Sequence, residues 1–152
     1  MKQIFISLIL LSMISAGCRD SHPGHHQAGM DAGHSSPDYG MVLIETGKKY
    51  SISGEYSFEL NFDKNPSLGM IVVKIELFDS SGKKSTALKI TGDSGMPAMK
   101  GSHDSGEVEF KLNKKGVYLL PFNIVMPGKW EVKLKFFRDK KEIHTARIEF
   151  NV

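Results

Sequence analysis

The chain reads as an all-β protein, an immunoglobulin-like antiparallel β-sandwich of about seven to eight strands over residues 41–152, preceded by a disordered tether. Two observations predict this. Six windows alternate apolar and polar residues with period two, the mark of strands buried on one face. Clusters rich in Gly, Pro, Asn, Asp and Ser separate them, and no window carries a convincing helical period.

The elements follow in order. Residues 1–17 form a signal peptide: Lys2 supplies the positive end, an apolar run extends from Ile4 to Ile14, and Ala16-Gly17 are the small residues before a cut. The run is too short to span a bilayer. The cut is expected before Cys18, because the segment resembles a bacterial lipobox, with Ser15 where leucine is usual. Cys18 is the chain's one cysteine, so no internal disulfide forms, and a lipid would occupy its thiol. Two or more acyl chains anchor stably, which predicts a membrane-held protein facing the periplasm or exterior; Arg19 favours the outer membrane.

Residues 18–40 are the tether. They hold almost no large apolar side chain, too little burial to offset the entropy of ordering. The stretch nevertheless concentrates four of the six histidines, His22, His25, His26 and His34, with Met30 among them. Such tracts bind Cu(II), Ni(II) or Zn(II) through neutral imidazole, which makes the tether a candidate secondary metal site.

The sandwich domain, 41–152, begins with a strand near 41–45. The alternating sets are then Tyr56, Phe58, Leu60, Phe62; Ile71, Val73, Ile75, Leu77; Val108, Phe110, Leu112; Tyr118, Leu120, Phe122, Ile124; Trp130, Val132, Leu134, Phe136; and Ala146, Ile148, Phe150, Val152. A shorter strand is expected near 86–91. Turns fall at Asn65-Pro66, 79–82, 113–116 and 138–141.

The stretch with chemistry is Gly-Met-Pro-Ala-Met-Lys-Gly-Ser-His, residues 95–103. Pro97 and Gly101 exclude a helix interior or central strand, so it is expected to be part of a long loop over 92–106. Folded back, that loop brings together the thioethers of Met96 and Met99 and the imidazole of His103. This donor set suits Cu(I) and offers little to Mg²⁺ or Ca²⁺. Met126, before the Pro127-Gly128 turn, joins them if the two loops share an edge of the sandwich. Plain packing against the core accounts for the same methionines equally simply.

The run Met96–His103, the Gly116-Val117-Tyr118 segment and the run Phe122–Val132 with its Met-Pro-Gly-Lys-Trp core resemble the YtkA-like and FixH-like domains. The resemblance covers about residues 56–152. It implies a small extracytoplasmic β-sandwich associated with copper handling, metal efflux or cytochrome oxidase maturation, and hence an efflux or oxidase-assembly protein as partner. The departure is the lipid in place of the family's usual transmembrane helix.

Other classes fit poorly. A blue-copper centre needs a cysteine thiolate beside its histidines, and the only cysteine is Cys18. No Gly-x-Ser-x-Gly elbow or His-Glu-x-x-His pair is present, so no catalytic residues are assigned and no enzyme is expected. The formal charge of +3 is spread along the chain, which argues against a nucleic-acid footprint. The expectation is a lipid-anchored copper-binding or copper-delivering protein; the alternative is a sandwich that only presents a surface to another envelope protein.

Overall fold

A computed structural model of the chain describes residues 41–101 and 104–152. The segments expected as signal peptide, lipidation site and His-rich tether, with Cys18, His22, His25, His26, Met30 and His34, lie outside the described residues, as does His103.

The described chain forms ten strands: β1 (Val42–Ile44), β2 (Lys49–Ile52), β3 (Tyr56–Phe62), β4 (Gly69–Asp79), β5 (Lys89–Gly95), β6 (Val108–Glu109), β7 (Lys111–Leu112), β8 (Val117–Ile124), β9 (Lys129–Arg138) and β10 (Lys141–Asn151). One sheet has the order β1-β10-β9-β5-β6 and the other β2-β3-β4-β8-β7. Strands β3-β4-β8-β7 and β10-β9-β5 reproduce the four- and three-stranded sheets of an immunoglobulin-like sandwich, in the same chain order. The expected fold class is therefore the observed one.

The alternation dictates the packing. Ile71, Val73, Ile75 and Leu77 on β4 are fully buried, while Val72, Lys74 and Glu76 between them face outward. Trp130, Val132, Leu134 and Phe136 are buried likewise on β9, where Glu131 between the first two is also buried. Phe58 and Phe136 meet across the two sheets with ring centroids 4.6 Å apart. An apolar ring contact, and no disulfide, thus joins the two sheets there. The Tyr118 hydroxyl donates to the Leu88 carbonyl at 2.6 Å, and burial raises its pKa.

Four details differ from the sequence reading. Lys49–Ile52 is an additional strand, with Ile52 fully buried. The strand expected near 86–91 starts at Lys89 and continues to Gly95, paired with β9 throughout, so the loop is shorter than 92–106. The expected strand over 108–112 is two, β6 in one sheet and β7 in the other. Only Phe110, at the crossing, is buried there, whereas Val108 and Leu112 are exposed because each sits on a sheet edge. Finally, the sandwich is not wholly antiparallel, since β1 pairs with β10 in parallel.

The turns are built as their residues require. Asp79 accepts the backbone N–H groups of Ser81 at 2.8 Å and Lys83 at 3.0 Å. Asn113 likewise accepts those of Lys115 and Val117, at 2.8 and 3.0 Å. Between β9 and β10, Asp139 and Lys140 both have positive φ (49° and 68°), the conformation of a tight two-residue hairpin turn.

Candidate metal site

The loop motif grows directly out of β5. Gly95 makes the last pair of that strand, with Glu131. One step on, Met96 stands beside Trp130 and turns inward, where it is 5% exposed and part of the core. Pro97 then opens a single 3₁₀ turn, Pro97–Met99, since its fixed φ suits a first helical position. The Met99 N–H donates to the Met96 carbonyl at 2.9 Å, which holds the two thioether residues on one turn. Met99 packs half-buried against the core.

The loop has a built neck. Ser105 N–H donates to the Ser94 carbonyl at 2.8 Å, and Ser94 N–H donates to Ser105 Oγ at 2.9 Å. Asp104 lies over Gly95, in the space a β-carbon would need, and its Oδ2 accepts the Gly101 N–H at 2.8 Å. Gly101 and Asp104 are the described residues that flank Ser102 and His103 in sequence.

The second methionine-bearing segment connects β8 to β9. The Trp130 indole N–H donates to the Met126 carbonyl at 3.1 Å. Gly128 exchanges two hydrogen bonds with Val152, at 2.8 and 3.0 Å. These contacts fix the turn, and Met126 packs half-buried against the core. The methyl of Met96 lies 2.9 Å from the position a β-carbon on Gly128 would take. The two loops therefore do share one end of the sandwich, which carries Met96, Met99 and Met126, and the buried Trp130 and Phe122 rings are 6.4 Å apart.

A fourth methionine at this end was not singled out from sequence. Met70 lies on β4 opposite Asn123 of β8, three residues before Met126, and is 57% exposed. Its alternation marks it as outward-facing, and the β4–β8 register places it opposite Asn123 at this end of the sheet. Among the described residues, no group of three or more His, Cys, Asp or Glu side chains is placed to hold a metal ion. The gathered donors at this end are thioethers, with affinity for soft cations.

His144, the one histidine among the described residues, lies elsewhere. It stands at a register shift in β10, against the rings of Phe58 and Phe136, with Nε2 buried and without a hydrogen-bond partner. Desolvation lowers its pKa. Two clefts of about 540 and 680 Å³ are lined without methionine.

Fold and site together define a small β-sandwich with a thioether-rich end. The YtkA-like family model matches residues 50–135, a stretch that includes Met70, Met96, Met99 and Met126, and the chain belongs to that family. No curated protein matches it. Among solved structures, the chain is similar to FetP of uropathogenic E. coli strain F11, crystallised as isolated after expression in the periplasm. The two are 12% identical, the match covers 70% of this chain and 93% of FetP, and the TM-score is 0.46.

Proposed function

We propose that this protein is a non-enzymatic, lipid-anchored, extracytoplasmic copper carrier that takes Cu(I) as cargo at the end formed by Met96, Met99 and Met126. Membership in the YtkA-like family fits an extracytoplasmic, metal-associated role. The observation that supports the finer reading is the approach of the Met96 methyl to Gly128, in the turn that follows Met126. Thioether sulfur prefers Cu(I) to Cu(II) or Zn(II), and His103 would add an imidazole from the same loop. The tether histidines would collect Cu(II), Ni(II) or Zn(II) loosely, and a metal efflux or oxidase-assembly protein would be the partner in transfer. Cys18 would hold the lipid, with the outer membrane the favoured location.

The test is a Cu(I) competition titration of the full-length protein at pH 5 with a colorimetric chelator, beside Met96→Leu/Met99→Leu. Imidazoles, with an ordinary pKa of about 6.5, release metal there, whereas thioethers have no proton to gain. One equivalent retained by the wild type and lost in the variant is expected. Equal binding by both proteins overturns the site.

A second reading has its own observation. Leu68, Met70 and Val125 are 56%, 57% and 56% exposed near the same end, which suits an interaction module that presents an apolar surface to another protein. Such a module would be indifferent to the double substitution.

A further inference from the structure

The first described residue, Met41, lines a small cleft of about 180 Å³ on the outer face of its sheet, with Thr91, Glu107, Lys133 and Lys135. Parity agrees with that placement. Ile44 is buried, so Met41 and Leu43 hold the outward positions at this edge. Register fixes the level of Met41. Val42 pairs with Ala146, Ala146 with Leu134 and Leu134 with Gly92, so one step back lie Thr145, Lys135 and Thr91. Two steps further along the same strands are Phe137 and Lys89, which pair with each other. A second cleft opens there, about 380 Å³, and shares Thr91 and Glu107 with the first. Ala87, Lys89, Phe137, Asp139 and Lys140 complete it. Phe137 breaks the row it belongs to. The outward residues of β9 before it are Glu131, Lys133 and Lys135, whereas Phe137 is a half-buried ring. An apolar wall of Phe137 and Ala87 under a charged rim suits an aromatic side chain with a polar tip. The residue two positions before Met41 is Tyr39, the one Phe, Tyr or Trp in residues 18–40. In an extended chain it takes the same face as Met41.

We infer that the Phe137 cleft is the docking site of this chain's own Tyr39. The ring packs on Phe137 and Ala87, and the stems of Lys89 and Lys140 cover its edges while their ammonium groups stay in water. The phenol O–H finds carboxylate acceptors at the rim, in Glu107 and Asp139. Glu107 already accepts the Thr91 hydroxyl at 2.9 Å and the Lys135 ammonium at 2.8 Å, and a carboxylate has room for more. The contact secures β1, which is three residues long and paired on one side only. It also directs the chain ahead of Tyr39 away from the sandwich near the β9–β10 hairpin, the pole opposite the methionines. The inference is independent of the copper reading.

The test uses the full-length protein and two NMR measurements. The first is cross-relaxation between the Tyr39 ring and the Phe137 ring and Ala87 methyl, recorded on wild type and on a mixture of labelled and unlabelled copies. The second is amide exchange in β1 and β4 for wild type, Tyr39→Ala and Tyr39→Phe. Contacts within one chain are expected. Exchange in β1 should rise about tenfold in Tyr39→Ala and stay within about twofold in Tyr39→Phe, with β4 unchanged in both. Absence of the Tyr39–Phe137 contact overturns the inference. Contacts found only between different copies overturn it too, by making the cleft an interface with a second molecule. Unchanged β1 exchange in Tyr39→Ala shows that the ring secures nothing, and equal acceleration in Tyr39→Phe shows that ring packing is not what holds; either result sinks the proposal.

Discussion

The two ends of the sandwich are made differently. At one end the connections contain Met96, Pro97, Met99, Met126, Pro127 and Gly128, and Met70 is exposed on the outer face of β4 near that end. At the other end the connections are short charged turns, held by Asp79, by Asn113 and by the positive-φ pair Asp139-Lys140. There Arg138 pairs with Glu55 and lies 5.1 Å over the Tyr56 ring. The far end spends its side chains on its own backbone and on ion pairs. The methionine end leaves sulfur, which needs neither hydrogen bonds nor a counterion, free for other use. A scaffold can thus be closed firmly at one pole and remain chemically available at the other.

The largest expected effect tests whether the methionine end rests on a true core. Trp130→Ala should cost about 3–5 kcal/mol by urea unfolding, through loss of a nearly fully buried ring together with the hydrogen bond to Met126. A cost no greater than that of removing a far-end turn would erase the distinction. Next comes the notch between the loops. Gly128 has φ of 138°, and a β-carbon there would crowd the Met96 methyl, so Gly128→Ala should destabilise by about 1–3 kcal/mol. The same variant should weaken Cu(I) binding per folded molecule, which separates the site from the fold.

At the far end Asn113→Ala should cost about 1 kcal/mol in the same unfolding assay, because two backbone N–H groups lose their acceptor. Copper binding should be untouched. The smallest effect concerns pH. The folded-state pKa of His144 lies below its ordinary 6.5, so the unfolded chain takes up the proton first. Stability is therefore full above about pH 6.5 and declines as pH falls toward the lowered folded value. His144→Phe should remove that part of the slope in thermal melts recorded between pH 7 and 5. A slope that persists would mean another group carries it. The methionines contribute no slope of their own.

Much of this was legible in the sequence, and the exceptions have physical causes. Period-two patterning located β3, β4, β8, β9 and β10, because each buries one face against the opposite sheet. It missed β2, where four residues hold one fully buried side chain, Ile52. It merged β6 with β7, since alternation records which residues are apolar and not which sheet they join; Phe110 alone goes inward while its neighbours change partners. Within the candidate site, Met96 and Met99 stood out through Pro97 and their spacing, and Met126 through Pro127-Gly128. Met70 did not, because its place at this end, opposite Asn123, depends on the pairing of two strands about fifty residues apart in sequence.

The parallel pairing of β1 with β10 has a consequence in time. Among the described strands, the first finds its partner in the last, Val42 against Ala146 and Ile44 against Ile148. A chain that emerges N-terminus first exposes β1 long before β10 follows, so that edge cannot close until β10 has emerged. Ile44, 2% exposed in the folded domain, has no β10 partner while the strands between are made. The described sandwich is therefore closed by β10, and a chain that lacks β10 leaves β1 unpaired.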